Sequence, residues 1–164
     1  MKSMLLFYRG ECMKKGYIMD TVIGPLRIVE SDIGICEVSF SDETKDIMVE
    51  KTKGIQEAIK QLEEYFNGQR KEFSLPLDMQ GTPFQVKTWQ ALLTIPYGET
   101  WTYKQLAMAI GNEKASRAVG NANNKNKIAI IIPCHRVIGT NGKLVGYAGG
   151  LSIKETLLNL EYKR

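Results

Sequence analysis

The stretch from Ile128 to Val137 reads IAIIIPCHRV and joins an apolar run, a proline and three polar side chains. Five apolar residues rich in isoleucine predict a buried strand. Pro133 has no backbone N–H for a sheet ladder, so we expect the strand to end there. The thiol, imidazole and guanidinium that follow predict an activated cysteine, because a neighbouring base or cation favours the thiolate. An isolated Cys-His pair favours a buried structural cysteine, since sequential side chains point in different directions, and the surrounding motifs are needed to indicate a nucleophile.

The composition is typical of a globular protein, with 164 residues, 22 basic and 18 acidic side chains and a net charge of +4. This mildly basic balance suits a polyanionic partner without requiring one. No apolar run is long enough to span a bilayer, and the first eight residues contain too short an apolar core for a signal peptide. We therefore expect a cytoplasmic protein with no membrane association.

The cysteines also limit the function. Cys12, Cys36 and Cys134 are an odd number and lie far apart, which argues against a disulfide framework and agrees with a reducing compartment. Together with a single histidine they offer no paired zinc spacing, so no structural metal is expected. Cys36 falls in an apolar strand pattern and is expected to lie in the core.

The N-terminal half predicts three short strands followed by a helix. Residues 17–21, 26–30 and 34–40 alternate with glycine-containing turns, which predicts an antiparallel meander. Residues 41–53 are charged and predict irregular structure. Apolar residues then recur at helical spacing from Ile55 to Phe66, and Asn67-Gly68 provides a stop. Residues 71–80 read as a connector, and no catalytic constellation is found in this half.

The C-terminal half predicts a pair of short helices. A helix opened by Thr82-Pro83 comes first, and helices at 102–110 and about 114–123 then flank a Gly-Asn turn, which is a helix-turn-helix pattern. The second of the pair has small side chains, the basic Lys114 and Arg117, and polar asparagines at 121, 123 and 124. With a strand pair behind it, this arrangement resembles a winged helix that docks on DNA. An αα-hairpin with small residues used for internal packing is the alternative.

Three motifs resemble the O6-alkylguanine-DNA alkyltransferase family. They are ASRAVG at 115–120, PCHRV at 133–137 and GYAGGL at 146–151, in the order and at the spacing usual for that family. The resemblance is clear from about Thr82 to Glu161 and rests on length and coarse pattern before that. It implies an α/β protein of two domains: a ribonuclease-H-like sheet domain at 1–80 and a winged helix-turn-helix domain at 81–164.

The resemblance also implies a reaction. In this family a cysteine thiolate takes the alkyl group from O6 of guanine, and less efficiently from O4 of thymine, so that guanine leaves and a thioether remains on the protein. No cofactor takes part and the protein does not turn over. A stacked base cannot reach a buried thiol, so the nucleotide must be flipped out of the helix. The implied partner is double-stranded DNA that contains alkylated bases, bound by a monomer.

The implied chemistry falls on three residues. Cys134 resembles the acceptor, His135 the base that takes the thiol proton through a water molecule, and Glu161 the carboxylate that orients the imidazole. The residues alone would also allow Glu161 to be a solvated helix end. Asn126 resembles the asparagine that braces the turn before the active-site strand.

Further positions are implied to bind substrate or DNA. Tyr103 resembles the phenol that contacts the flipped guanine and its phosphate, and a helix tyrosine packed on the core is the alternative. Arg117 resembles the arginine that replaces the flipped base in the stack, and a plain phosphate contact is the alternative. The other expected positions lie in the three motifs, and the loop at 147–149 would offer a backbone N–H to O6: Ala115, Ser116, Arg136, Val137, Tyr147, Ala148 and Gly149.

The sequence departs from the family pattern at two positions. Lys127 follows Asn126 where many relatives have proline, and Asn123 stands where some have a larger apolar side chain that can help base stacking. Two other functions remain open on the residues alone. One is DNA binding without transfer, which would leave the protein unalkylated. The other is a cysteine hydrolase built on Cys134 and His135, which would turn over with excess substrate.

Overall fold

A four-stranded sheet forms the N-terminal half of the computed structural model, which describes residues 13–162. Strands β1 (Lys15–Thr21), β2 (Gly24–Glu30) and β3 (Ile35–Ser39) form the predicted antiparallel meander. A short β4 (Met48–Val49) pairs in parallel with β1 and gives the order β3-β2-β1-β4. Its two exposed residues lie in the segment predicted to be irregular, and they are too few to produce a sequence pattern. The N-terminal residues considered for a signal peptide, and Cys12, lie outside the described residues.

The predicted helix after the sheet is confirmed as α1 (Lys53–Phe66). The Thr52 side chain caps it by accepting a hydrogen bond from the Ile55 N–H, and Gly68 follows its end with a φ of +72°. Its buried face includes Ile55, Leu62 and Tyr65, and it packs on the first three strands. This face is the surface that joins the sheet to the rest of the molecule.

The C-terminal half contains four helices around a short strand pair. They are α2 (Pro83–Leu92), α3 (Tyr103–Ala109), α4 (Ser116–Asn124) and α5 (Leu151–Tyr162), with 3-10 turns at Glu113–Ala115 and Cys134–Arg136. Strands β5 (Trp101–Thr102) and β6 (Val137–Ile138) pair in parallel. The predicted helix-turn-helix is thus α3 and α4, and a side chain of α2 is tied to the α4 backbone by a 2.8 Å hydrogen bond from the Trp89 indole N–H to the Ala122 carbonyl.

The predicted buried strand at 128–132 is wrong. Only Ile128 pairs with a strand, through one bridge to Val38. The chain then coils: the Ile132 N–H donates to the Ile128 carbonyl (3.0 Å), and Ile130 has a φ of +70°, which is rare for a β-branched residue. The Asn126 carboxamide binds the Ile128 N–H and the Ile132 carbonyl, which replaces the ladder bonds of a strand. All five residues are buried, so the apolar run reflects burial on every side.

One apolar cluster holds the two halves together. It contains residues of the sheet and α1, such as Ile28 and Leu62, together with residues of the C-terminal helices, such as Leu106 and Leu157. Backbone bonds from Val38 to the carbonyl of Lys127 (2.8 Å) and from Ala129 to the carbonyl of Val38 (2.9 Å) fasten the coiled turn to β3. No helix within residues 13–162 is both long and apolar enough to cross a membrane.

Candidate active site

The coiled turn and the last helix bring the predicted thiol, base and carboxylate side by side. Cys134 and His135 lie in the 3-10 turn that follows the coiled segment, and Glu161 lies in the last turn of α5. His135 Nε2 is 2.7 Å from Glu161 Oε1, and both side chains are fully buried. Asn126, just beyond α4, donates from Nδ2 to Cys134 Sγ (3.1 Å). The structure therefore brings these four predicted residues together.

Glu161 is the most heavily bonded member of the cluster. Its Oε1 accepts from Tyr65 Oη (2.7 Å) and from Arg136 Nη2 (3.0 Å), and its Oε2 accepts from Arg136 Nε (2.9 Å) and the Gly98 N–H (3.4 Å). Burial raises the pKa of this carboxyl, but hydrogen bonds from His135 and Arg136, with the charge of Arg136, outweigh burial and bring the pKa to about 2. The carboxylate is ionised at neutral pH. Because Glu161 is buried, the alternative that it is a solvated residue at the end of a helix is excluded.

The ionised carboxylate fixes the tautomer of His135. A carboxylate only accepts hydrogen bonds, so Nε2 carries the proton and Nδ1 keeps its lone pair. Nδ1 is buried and has no hydrogen-bond partner among residues 13–162. Burial, followed by smaller contributions from Arg136 and Lys154, lowers the pKa of His135 despite the attraction of Glu161. The imidazole is therefore neutral near pH 7 and can accept a proton at Nδ1.

Cys134 is held as a thiol in the resting protein. Burial raises its pKa, and the hydrogen bond from Asn126 and the positive charge of Lys154 oppose that rise. A thiol of this kind needs a base to become a nucleophile, and groups that stabilise the thiolate must already be in place. His135 is suited to the first role, and Asn126 with Lys154 to the second.

Two residues of the cluster were missed by the sequence analysis. Lys154 on α5 is completely buried, and its Nζ donates to the carbonyls of Val137 (2.6 Å) and Val145 (3.0 Å). Lys154 precedes Leu158 by four residues and Glu161 by seven. This helical spacing places the three residues on one face of α5, and it is the signal that could have indicated Lys154. Tyr65 was counted only as part of the apolar stripe of α1, although a buried tyrosine hydroxyl normally needs a partner.

The tyrosines of the predicted pocket lie around the same cluster. The half-buried Tyr103 donates from its hydroxyl to the Val145 carbonyl (3.3 Å), and burial, with the charge of Cys134, raises its pKa. The Tyr147 hydroxyl is buried without a hydrogen-bond partner, and its ring packs edge-on against Phe40 of the N-terminal half. Of its neighbours in the loop, Ala148 is exposed and Gly149 is half-buried.

Some of the residues expected to bind substrate or DNA lie at the surface and others in the interior. They belong to α4 and to the PCHRV motif. On and beside α4, Arg117 is exposed, Ser116 half-buried and Ala115 buried. Asn123 is also buried, so of the three asparagines only Asn121 and Asn124 face outward.

Arg136 and Val137 lie inside the protein. The Arg136 guanidinium is committed to Glu161 and to the Ile95 carbonyl (2.7 Å), and Val137 is fully buried in β6. Both therefore lie behind the site in this structure.

No metal site accompanies the cluster. Within residues 13–162, no three histidine, cysteine, aspartate or glutamate side chains are grouped so that they could hold an ion.

Comparison with known proteins gives consistent matches over both halves. Residues 83–163 match the family described as "6-O-methylguanine DNA methyltransferase, DNA binding domain", and residues 13–79 match "6-O-methylguanine DNA methyltransferase, ribonuclease-like domain". The methylated-DNA–protein-cysteine methyltransferase of Methanosarcina acetivorans is 53% identical over 149 residues, which cover 88% of this chain and 96% of that protein. The constitutive enzyme of Bacillus subtilis is 48% identical over 87% of this chain and 92% of its own length.

Solved structures agree with these sequence matches. Mycobacterium tuberculosis OGT in complex with DNA has a TM-score of 0.85 and 44% identity, and the alignment covers 91% of this chain and 93% of that one. The same protein, solved as an O6-methylguanine methyltransferase, also has a TM-score of 0.85, with 43% identity over 93% of this chain and 94% of that one. The predicted α/β class, with a ribonuclease-like sheet domain and a helical DNA-binding domain, is confirmed. This chain belongs to the methylated-DNA–protein-cysteine methyltransferase family.

Proposed function

We propose that the protein repairs alkylated DNA by moving the alkyl group from O6 of guanine to the sulfur of Cys134. The observation that carries the proposal is the buried Asn126–Cys134 contact beside the His135–Glu161 pair, which supplies a thiol, a neutral base and a fixed orienting carboxylate. Methylated-DNA–protein-cysteine methyltransferases are relatives of this chain at 48% and 53% identity over 92% and 96% of their own length.

The transfer conserves atoms and electrons without a cofactor. His135 Nδ1 takes the Cys134 proton through a bridging water, and the thiolate attacks the alkyl carbon in line with the C–O6 bond. The S–C bond forms as the C–O6 bond breaks, and its electron pair goes to the guanine, which finally carries the proton lost by the thiol. A backbone N–H of the loop at 147–149 would bond to O6 and stabilise the charge that develops there.

The substrate is a flipped nucleotide in double-stranded DNA. Arg117 and the outward asparagines of α4 would face the duplex, and Tyr103 would contact the flipped base at the mouth of the pocket. Arg117 would fill the gap that the base leaves. Arg136 and Val137 would act from behind the site: Arg136 by holding Glu161, and Val137 through its place in β6.

The thioether has no route back to the thiol, so each protein molecule repairs one base. We propose that O4-alkylthymine is a second, poorer substrate, since it offers the same alkyl–oxygen bond in a different ring. The protein would act as a monomer, because one chain supplies every group used above. A cytoplasmic location agrees with the free Cys36 and Cys134 thiols.

Mass spectrometry of the intact protein after incubation with O6-methylguanine duplex DNA tests the proposal. We expect the mass to rise by one methyl group and no more, whatever the excess of DNA. Cys134→Ser should gain no methyl group and still bind DNA, because serine has nearly the same shape but is a poor nucleophile at neutral pH. Repeated release of product would instead indicate a hydrolase, and binding without any mass change would indicate a DNA-binding protein.

A further inference from the structure

The N-terminal half contacts the carboxylate of the candidate active site through the hydroxyl of Tyr65. Tyr65, on α1, is completely buried and donates its hydroxyl hydrogen to Glu161 Oε1 at 2.7 Å. His135 Nε2 approaches the same oxygen at the same distance, 2.7 Å. The two donors thus share one carboxylate oxygen, although 96 residues of sequence separate Tyr65 from Glu161.

The surroundings of Tyr65 hold its hydroxyl in one place. Its ring packs against Phe66, Phe73 and Tyr97, with centroids between 5.5 and 6.2 Å away. Burial and the negative charge of Glu161 raise the pKa of Tyr65 far above its usual range, so the hydroxyl keeps its proton and acts only as a donor toward the carboxylate. A rigid ring with a permanent donor can hold a carboxylate in a fixed orientation.

We propose that Tyr65 is a positioning residue for alkyl transfer, and that through it the N-terminal half forms part of the catalytic machinery. The proposal rests on the function proposed above. Tyr65 and the bidentate Arg136 fix the plane of the Glu161 carboxylate, and the carboxylate fixes the tautomer of His135. The hydroxyl touches neither the substrate nor the sulfur and acts entirely through Glu161.

Removal of the hydroxyl should change the proton affinity of the His135–Glu161 pair. The groups that face this pair are Tyr65 and Tyr97, Arg136, and the Gly98 N–H, with Cys134, Tyr147 and Lys154 around them. The Tyr65 hydroxyl and Arg136 both donate to Oε1 and disperse its negative charge, and Tyr65→Phe removes the hydroxyl. Without it the carboxylate attracts the imidazolium form of His135 more strongly, so the pair binds a proton at higher pH.

The test is the rate of transfer from free O6-benzylguanine as a function of pH, for the full chain and for Tyr65→Phe. This substrate needs no DNA, so the rate reports the site alone. We expect Tyr65→Phe to slow transfer by roughly tenfold at neutral pH, and the acid limb of the profile to move upward by roughly half a pH unit. An unchanged rate, or a slower rate with an unmoved acid limb, would overturn the proposal.

Two further variants separate positioning from packing. Phe66→Leu removes ring packing beside Tyr65 without touching Glu161, and it should leave the acid limb in place. In a Glu161→Gln background, Tyr65→Phe should add no further slowing, whereas effects that multiply would show action through packing and reject the proposal. If the unaltered protein takes no alkyl group from O6-benzylguanine or from methylated DNA, the proposed function fails. If it does and Tyr65→Phe matches it, only the present inference fails.

Discussion

At the scale of single residues, the candidate site works by setting protonation states before any substrate arrives. Glu161 is ionised because the hydrogen bonds from His135 and Arg136 and the charge of Arg136 outweigh its burial, His135 is neutral because it is buried, and Cys134 stays a thiol for the same reason. Each protonation state follows from the groups around the residue. Together these states place a buried proton acceptor, His135 Nδ1, in the same cluster as the buried proton of the Cys134 thiol. Asn126 is the residue whose side chain donates a hydrogen bond to the sulfur.

Asn126→Ala should make the Cys134 thiol less acidic and less reactive. The carboxamide donates to Sγ at 3.1 Å, and a hydrogen bond to a charged group contributes about 1.5–3 kcal/mol, so its loss should raise the pKa of the thiol by at least one unit. The measurement is the rate of Cys134 alkylation by iodoacetamide across pH, followed by peptide mass spectrometry. Asn121→Ala, which changes an exposed asparagine of α4, is the matched control. An unshifted midpoint in Asn126→Ala would mean that Asn126 only braces the turn.

At the scale of elements, the helix-turn-helix and the loop at 147–149 form separate parts of the candidate site. Helix α4 presents Arg117 outward and keeps Val119 and Ala122 inward, which leaves a small-sided surface beside the half-buried Tyr103. The loop at 147–149 closes the other side and rests on Phe40 of the sheet half. Changes in these elements should therefore affect access to the site more than the chemistry of the sulfur.

Arg117→Ala should slow repair of duplex DNA much more than transfer from free O6-benzylguanine, because only the duplex requires base extrusion. Lys114→Ala, an exposed cation in the turn before α4, is the control for a phosphate contact. It should weaken binding to all duplexes and reduce the salt slope by about one unit without a specific defect in repair. If Arg117→Ala behaves like Lys114→Ala, a plain phosphate contact is the correct role. If it slows the free base and the duplex equally, Arg117 supports the pocket itself.

Gly149→Ala should destabilise the pocket loop. A Cβ at this position would lie 2.9 Å from the Phe40 ring, so either the ring or the loop has to move. Overpacking of this kind costs about 1–3 kcal/mol, and we expect a lower unfolding midpoint in urea together with slower transfer from the free base. Phe40→Leu in the same chain should recover part of both losses by making room. If the double variant is worse than Gly149→Ala alone, the close approach to Phe40 is not the cause.

The helices and strands also show how much of the secondary structure could be predicted from the sequence. The caps at Thr82 and Thr102 predicted two helix starts correctly, because a cap is a local signal, whereas the cap at Thr52 lies in the segment predicted to be irregular. The run at 128–132 predicted a strand that does not exist, because periodicity cannot distinguish a strand from a coil buried on all sides. The side chain of Asn126 decides between the two, through bonds to Ile128 and Ile132 that no local pattern reveals.

Within the candidate site, the motifs indicated Cys134 and His135, and the family resemblance indicated Glu161. Tyr65 and Arg136 were missed as partners of Glu161 because their hydrogen bonds depend on tertiary packing. The contact from Tyr65 joins two parts of the chain that share no motif. Arg136 was expected at the DNA surface, and only the fold shows that its guanidinium points to the interior.

At the scale of the whole molecule, the two halves share one core. Apolar residues of β2, α1, α2, α3 and α5 belong to a single cluster, and the Tyr65–Glu161 contact lies within the same packed region. Backbone bonds between β3 and the coiled turn add a second connection. Two halves joined in this way should lose their structure together, since neither can expose its face of the shared core without cost.

Leu62→Ala tests whether the two halves unfold together. Leu62 lies on α1 and is fully buried, so its truncation should lower the free energy of unfolding by about 2–5 kcal/mol. The two tryptophans of the chain, Trp89 and Trp101, both lie in the C-terminal half, so their fluorescence reports that half alone. In urea, the fluorescence midpoint of Leu62→Ala should fall together with the far-ultraviolet circular dichroism midpoint.

Lys60→Ala, on the exposed face of the same helix, is the control and should change the free energy of unfolding by no more than about 0.5 kcal/mol. A fluorescence transition that stays at the unaltered midpoint while the dichroism transition moves would show that the halves unfold separately. In that case the hydrogen bond from Tyr65 would be lost whenever the sheet half opened, while the DNA-binding half stayed folded. A coincident shift would mean instead that any folded molecule carries an oriented Glu161, because the hydrogen bond from Tyr65 would be present whenever the protein is folded.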